Sequence, residues 1–320
     1  MSTPASRERL GLLLGFIGVV IFGGTLPATR LAVSQIDPIA LTSLRTAIAG
    51  LCSLVLLVTL RRKPPPRALW PQLTLTMLCV AVLFPLLMSM GMQTVDASHG
   101  GVVLGILPIA TALVAVAITH ERPRPLFWIA SVAGAALVIT FALRQGGGAL
   151  AAGDLFLFAS VAVAAIGYAF SGRLTARMPG WEVISWVLVI ALPLSIPAAA
   201  LTMPADISHV ALKPWLGLLY VALFSQWIGF FAWNAGLAMG GIARVSQIQL
   251  LQPFFTFALA AFFNDETITL QILLFAAAVV ATVAISTRTR AKTFPFKGVP
   301  SRTAPSPPQR DREPPQLAAS

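Results

Sequence analysis

The chain is 320 residues long, 57% hydrophobic and only 10% charged, with a mean hydropathy of +0.84. A water-soluble domain carries roughly 25% charged residues because its surface faces water, so most of this surface must face hydrocarbon, and the useful count is of membrane spans. The net charge of +11 does not mark a nucleic-acid binder, because the Lys and Arg lie between apolar runs and in a Pro-rich tail rather than on one face with interleaved aromatics.

A bilayer core about 30 Å thick needs roughly 20 apolar residues at 1.5 Å each. Arg7 and Arg9 lead into an apolar run from Leu10 that has the beginning of a signal peptide. The run continues past a normal h-region to about Ala32 with no small-x-small site, so it is read as a retained first helix. Segments long and apolar enough to span then fall near 10–32, 38–60, 71–92, 98–118, 125–143, 154–172, 182–203, 214–235, 243–263 and 268–287. Their connections are short, which makes them antiparallel neighbours; Gly236, Gly240 and Gly241 provide the thinnest one. Cys52 and Cys79 sit in apolar stretches and behave as small buried hydrophobes, not as a disulfide. Residues 1–9 form a short N-terminus. The tail over 288–320, with Pro305, Pro307, Pro308, Pro314 and Pro315, has no apolar face to bury and is expected to be disordered.

Charge sets the orientation. With ten spans and a cytoplasmic N-terminus, eighteen of the 22 Lys and Arg fall on the cytoplasmic side, against three (Arg30, Arg144 and Lys213) on the outer side and one, Arg45, inside a span. Without the tail the ratio is still eleven to three. The positive-inside rule therefore places both termini in the cytoplasm, as expected for a multi-pass protein of a bacterial inner membrane.

The chain also repeats itself. Gly91 to Thr140 lies over Gly236 to Ile285 at a constant offset of 145, matching Pro108 with Pro253, Thr111 with Thr256 and Glu121 with Glu266. Earlier residues align at 143, where Arg30-Leu31 meets Arg173-Leu174 and Gly24 meets Gly167. Each unit, 10–143 and 154–287, has five helices, an odd number, so the second copy is inverted. Inverted repeats are a common construction of secondary transporters, whose halves rock about a central site.

Phe22-Gly23-Gly24-Thr25 through Thr29-Arg30-Leu31, Pro38 with Arg45, and the Leu107-Pro108 to Glu121 block repeated at Pro253 to Glu266 resemble the drug/metabolite transporter superfamily, in its EamA-type branch. The resemblance covers about residues 10 to 287. It implies an all-α membrane protein of ten transmembrane helices, formed by two inverted five-helix EamA-type repeats, that moves amino acids, other metabolites, sugars or drugs. Phe22 departs from the pattern, since many relatives carry Trp before the Gly.

Arg45 is the ionisable residue well inside a span, roughly 10 Å along its helix from Pro38. A charge at that depth marks a substrate pathway or is hydrogen-bonded structurally to helix-end carbonyls; the functional reading is an anchor for a substrate carboxylate. Gln249, Gln252 and Thr256 share one helix face, preceded by Ser246 and Gln247. The first repeat has Leu104 and Leu107 where the second has the two amides, so the amides are not a requirement of the fold and are read as lining a cavity, with interhelical packing as the alternative. Gln226, Trp227, Trp233 and Asn234 form two adjacent semi-polar faces, and Tyr168 and Thr25 complete the cavity candidates. Pro108 and Pro253 each remove a backbone bond in mid-helix and are kink or hinge candidates. Glu121 and Glu266, just before the fifth and tenth helices, are read as caps of those positive N-termini rather than as proton carriers.

His99, His120 and His209 lie in loops or at helix ends without metal spacing, no Walker loop occurs, and no membrane-embedded proton relay is evident. No metal, cofactor or nucleic acid is expected; the partners are a small-molecule substrate and the lipid bilayer, and the sequence does not distinguish monomer from homodimer. An intramembrane enzyme acting on lipid would need clustered His and acidic residues at one depth, which the sequence does not display. The expected function is a secondary transporter, read as an exporter of small organic metabolites such as amino acids by alternating access. The alternatives are a non-transporting scaffold or sensor, or a drug or sugar importer of the same fold.

Overall fold

The computed structural model describes residues 4–119, 125–145, 147–203, 209–240 and 248–289. Eight helices among them are long and apolar enough to cross a membrane: α1 (Arg9–Val33), α2 (Pro38–Thr59), α3 (Arg67–Gly91), α4 (Ala97–Ile118), α5 (Pro125–Gln145), α6 (Ala152–Thr175), α7 (Gly180–Thr202) and α8 (Leu212–Gly236). Two shorter apolar helices, α9 (Gln249–Phe263) and α10 (Leu270–Ile285), complete the ten. The expected ends of the first eight hold to within a few residues. Ser246 and Gln247, the expected start of the ninth span, lie outside the described residues, as do Glu121, His120 and the tail from Arg290.

Local chemistry explains the helix starts. Asp37 accepts from the backbone N–H groups of Ile39 (2.8 Å) and Ala40 (3.3 Å), and Pro38 fills the first turn of α2, where its missing N–H costs nothing. Between helices, the exposed surface is apolar. Val55, Val58, Ile129, Val132 and Leu201 are each more than 60% exposed, as side chains facing lipid would be.

The halves are interleaved. α1 packs against α8 and α9 of the second half, while α6 packs against α3 and α4 of the first; α2 pairs with α7, and α5 with α10. These partners map onto one another under the sequence offset, which gives the bundle a pseudo-two-fold arrangement. Small residues permit the closest approaches, as expected where lipid-like packing replaces the hydrophobic drive. A Cβ at Gly91 would sit 3.1 Å from the Gly153 carbonyl oxygen, and one at its repeat-mate Gly236 would sit 2.6 Å from the Gly15 nitrogen. The same α3–α6 contact is therefore made again between α8 and α1.

Candidate substrate-binding site

The interior begins with interrupted helices. Helical geometry in α1 stops at Gly23 and resumes at Thr25. Pro27 has no N–H, so the Gly23 carbonyl loses its i+4 donor. Thr256 of α9 replaces it, donating from Oγ1 to the Gly23 oxygen at 2.9 Å. Tyr220 of α8 donates its hydroxyl to the Ile21 oxygen at 2.8 Å, and the ring lies where a Cβ at Gly24 would have to be. Thr25 is hydrogen-bonded through its hydroxyl to Ser225 of α8 at 2.8 Å.

The same logic operates in α3. Met77–Leu83 winds as a π-helix just before Pro85, which cannot donate to the Ala81 carbonyl. That oxygen accepts from Thr46 Oγ1 of α2 (2.8 Å) and from Gln226 Nε2 of α8 (3.5 Å), while Gln226 Nε2 also reaches Thr46 Oγ1 at 3.1 Å. A second π-helical stretch, Tyr220–Ile228, occupies the repeat-related part of α8. π-Turns inside helices recur at functional sites because they redirect side chains and carbonyls.

Arg45 lies between these two stretches. It is only 2% exposed, and Nη2 donates to the Val221 carbonyl in the second π-helix at 3.3 Å. Nε and Nη1 have no protein partner, and neither do the nearby α2 hydroxyl of Thr42 or the amide oxygen of Gln226. Tyr168 of α6 is close enough to interact with the guanidinium electrostatically, and its ring packs edge-on against Phe84 and Phe230. Among the described residues no carboxylate pairs with Arg45. The two acidic residues within the described spans, Asp154 and Glu182, lie in the first turns of α6 and α7 and pair with His99 and Arg62. A buried cation with free donors and no counter-charge is costly, and it is chemically ready for an anion.

The remaining candidates separate. Arg45, Tyr168 and Gln226 converge, together with Thr46, which the sequence reading did not single out; Pro85 in the third span was the available signal. Thr25 and Thr256 serve the α1 interruption, so Thr256 is a cap for a released carbonyl as well as a member of the α9 stripe. Gln249 and Gln252 are half-buried, with Gln249 in a short 3-10 turn that packs against α1 and α10. Trp233 packs against Phe22 and over Gly18, and Asn234 against Gly180 at the start of α7, which makes both of them helix-packing residues here. Pro108 and Pro253 do not bend continuous helices: Pro108 follows a break at Gly105-Ile106, and Pro253 follows the 3-10 turn, so each stands in the first turn of a new helical segment.

Charges cluster at the expected outer face. Glu266 does not cap α10. Its two carboxylate oxygens accept the N–H groups of Ala97 (2.7 Å) and Ser98 (2.8 Å) at the start of α4, while Thr269 accepts from Ile272 in the first turn of α10. Arg30 pairs with Asp96 at 3.5 Å and donates to the Met92 carbonyl. His99, expected in a loop or at a helix end, stands in the first turn of α4, where its Nε2 meets Asp154 Oδ1 at 2.6 Å with both residues buried. A cleft of about 510 Å³ opens beside this cluster, lined by Arg30, Gln93, Asp96, Lys213, Asn264 and Glu266, among others. No group of His, Cys, Asp and Glu able to hold a metal occurs among the described residues.

Interleaved halves, broken helices and a buried unpaired cation are the anatomy of a carrier, and comparison with known proteins agrees. The model of the EamA-like transporter family matches residues 9–142 and again 151–288. The chain belongs to the EamA-like transporter family. Within it, the chain is similar to the uncharacterized transporter YdeK of Bacillus subtilis (strain 168), with 45% identity over 283 residues that make up 88% of this chain and 99% of that one. It is also similar to the uncharacterized transporter YwfM of the same organism, 25% identical over 79% of this chain and 86% of that one. A crystal structure at 19% sequence identity superposes with a TM-score of 0.60, covering 87% of this chain and 96% of its own, and shares the fold. The EamA-like chain described here is thus a multi-pass membrane transporter, and both family matches contain the interrupted helices.

Proposed function

We propose that this transporter carries small organic metabolites bearing a carboxylate, such as amino acids, with Arg45 as the anchor of the carboxylate. The observation that carries the reading is the unpaired guanidinium, 2% exposed between two π-helical stretches with Nε and Nη1 free. Gln226 and Tyr168 flank it as an amide acceptor and a phenol suited to the rest of an amphipathic solute. The mechanism is alternating access, with 10–143 and 154–287 as the pseudo-symmetric units that rock and the broken segments of α1, α4 and α9 absorbing the change in backbone. Both termini lie in the cytoplasm of a bacterial inner membrane, and the net direction is export. The positive-inside tally supports the orientation, and the family resemblance, whose members include exporters, supports the direction.

The test is counterflow in proteoliposomes against a panel of radiolabelled amino acids and other carboxylates. Arg45→Gln lowers the rate for the accepted solute by roughly 100-fold, the scale of losing charge-assisted hydrogen bonds worth about 3 kcal/mol. Wild-type rates in a normally inserted Arg45→Gln protein would remove Arg45 from the site. Failure of the wild type to move any solute of the panel would overturn the carboxylate substrate class.

A further inference from the structure

The first helical segment of α4, Ala97–Leu104, is tied at its start to three other elements. Asp96 holds Arg30 of α1, the N–H groups of Ala97 and Ser98 hold Glu266 of the α9–α10 connection, and His99 holds Asp154 of α6. The first two ties are made by a guanidinium, two carboxylates and backbone N–H groups. The third contains an imidazole, which titrates near neutrality in its unperturbed form. It is also the most deeply buried of the three, with His99 8% exposed and Asp154 0%. We propose that His99 and Asp154 form a proton-binding site that couples protonation at the expected outer face to the release of α4 from α6.

The geometry defines which proton matters. At 2.6 Å one hydrogen lies between His99 Nε2 and Asp154 Oδ1, and Asp154 Oδ2 accepts the Ala151 N–H at 2.9 Å, so the carboxylate is oriented and satisfied. Nε2–H donates to Oδ1 whether the ring is neutral or cationic. The exchangeable proton is therefore the one on Nδ1: on uptake an N–H bond forms as an O–H bond of hydronium breaks, leaving water, and release is the reverse.

With that proton present the pair is imidazolium and carboxylate, neutral overall. Separating them in a poorly solvated bundle is costly because it strands two opposite charges. Without the proton the pair carries one negative charge, and loosening the start of α4 from α6 costs a hydrogen bond to that charge instead of an ion pair, while the apolar packing of Leu107 on Val161, Ala164 and Ala165 is the same in both states. Protonation therefore latches the two helices, and deprotonation frees them.

The surroundings leave this switch to the pair itself. Arg30 and Asp96 neutralise each other, Glu266 is matched by two N–H groups, and Arg144 is exposed at the end of α5, one turn beyond the Phe141 ring that packs tilted against His99 with centroids 5.0 Å apart. The adjoining stretches of α3, α9 and α10 contain no charged residue.

The test needs no substrate, so its failure is separable from failure of the transport reading. Full-length protein in nanodiscs is labelled with [15N]histidine, and His120→Gln with His209→Gln isolates the His99 signal. Backbone amide exchange of residues 97–104 is followed in parallel. The expected result is one imidazole titration between pH 4 and 9. As the proton leaves, exchange of the segment, corrected for its intrinsic pH dependence, rises on the order of tenfold. His99→Gln abolishes the pH dependence, and Asp154→Asn exchanges fast throughout. An imidazole that does not titrate in this range overturns the proposal, as does exchange of the wild-type segment that is independent of pH. If His99→Gln does not fold, those two wild-type measurements and Asp154→Asn still decide.

Discussion

α1 and α6 are copies of one helix, packed in equivalent grooves of opposite halves, yet α1 is broken and α6 runs unbroken from Ala152 to Thr175. The difference traces to one position. At the offset of 143, Pro27 in α1 corresponds to Phe170 in α6, and Phe170 keeps the backbone N–H that Pro27 lacks. The Gly23 carbonyl is thereby released in α1 alone, and α9 supplies Thr256 to meet it. α3 shows the same pattern, with Pro85 releasing the Ala81 carbonyl to Thr46 and Gln226. The comparison teaches that proline-released carbonyls are met by polar side chains of neighbouring helices, from the other half at Gly23 (Thr256) and from both halves at Ala81 (Thr46 at 2.8 Å, Gln226 at 3.5 Å), and that this places polar groups in the core.

Making α6 resemble α1 should have the largest effect. Phe170→Pro removes a helix bond and should destabilise the detergent-solubilised protein by up to about 3 kcal/mol, read from its unfolding midpoint, and a Thr111→Val background should deepen the loss, because Thr111 of α4, the repeat-mate of Thr256, has a buried hydroxyl with no partner. Making α1 resemble α6 is the sharper test. Thr256→Val should cost about 1–2 kcal/mol in the wild type, where it strands the Gly23 oxygen, and only a few tenths in a Pro27→Ala background, where residue 27 supplies the donor. Equal losses in both backgrounds would mean that the hydroxyl is not a substitute for the missing N–H. Glu266→Gln keeps an acceptor but loses the charge at the α4 N-terminus, and should cost about 0.5–1 kcal/mol, shrinking with salt. Gln249→Leu with Gln252→Leu, which gives α9 the side chains of α4, should leave stability within about 0.5 kcal/mol and lower transport by the criterion used for Arg45. Unchanged transport would remove α9 from the cavity.

The helix count and most helix ends were legible because they follow from runs of apolar residues bounded by Pro, Gly and charge. The Pro-to-Glu register was legible because it is a property of the chain alone. Arg45 stood out for the same reason: it is a charge in an apolar run. The partnerships were not legible. His99 and Asp154 are 55 residues apart and meet only because the α4 and α6 starts share one end of the bundle. Glu266 looked like a cap for the helix that follows it, because local sequence cannot show that the Asp265 backbone, at φ 56°, turns the chain toward α4. The π-helical stretches have no residue signature of their own. Pro85 hinted at one, but the second in α8 contains no proline.

The interleaving of α1 also has a consequence for biogenesis. α1 is synthesised with an unmatched carbonyl at Gly23, and its partner Thr256 follows more than two hundred residues later. Until α8 and α9 have been inserted, the groove that receives α1 does not exist, and α1 must wait in lipid or beside the insertion machinery. Synthesis order and seating order are therefore reversed for α1, which is made before α8 and α9 and reaches its final place after them.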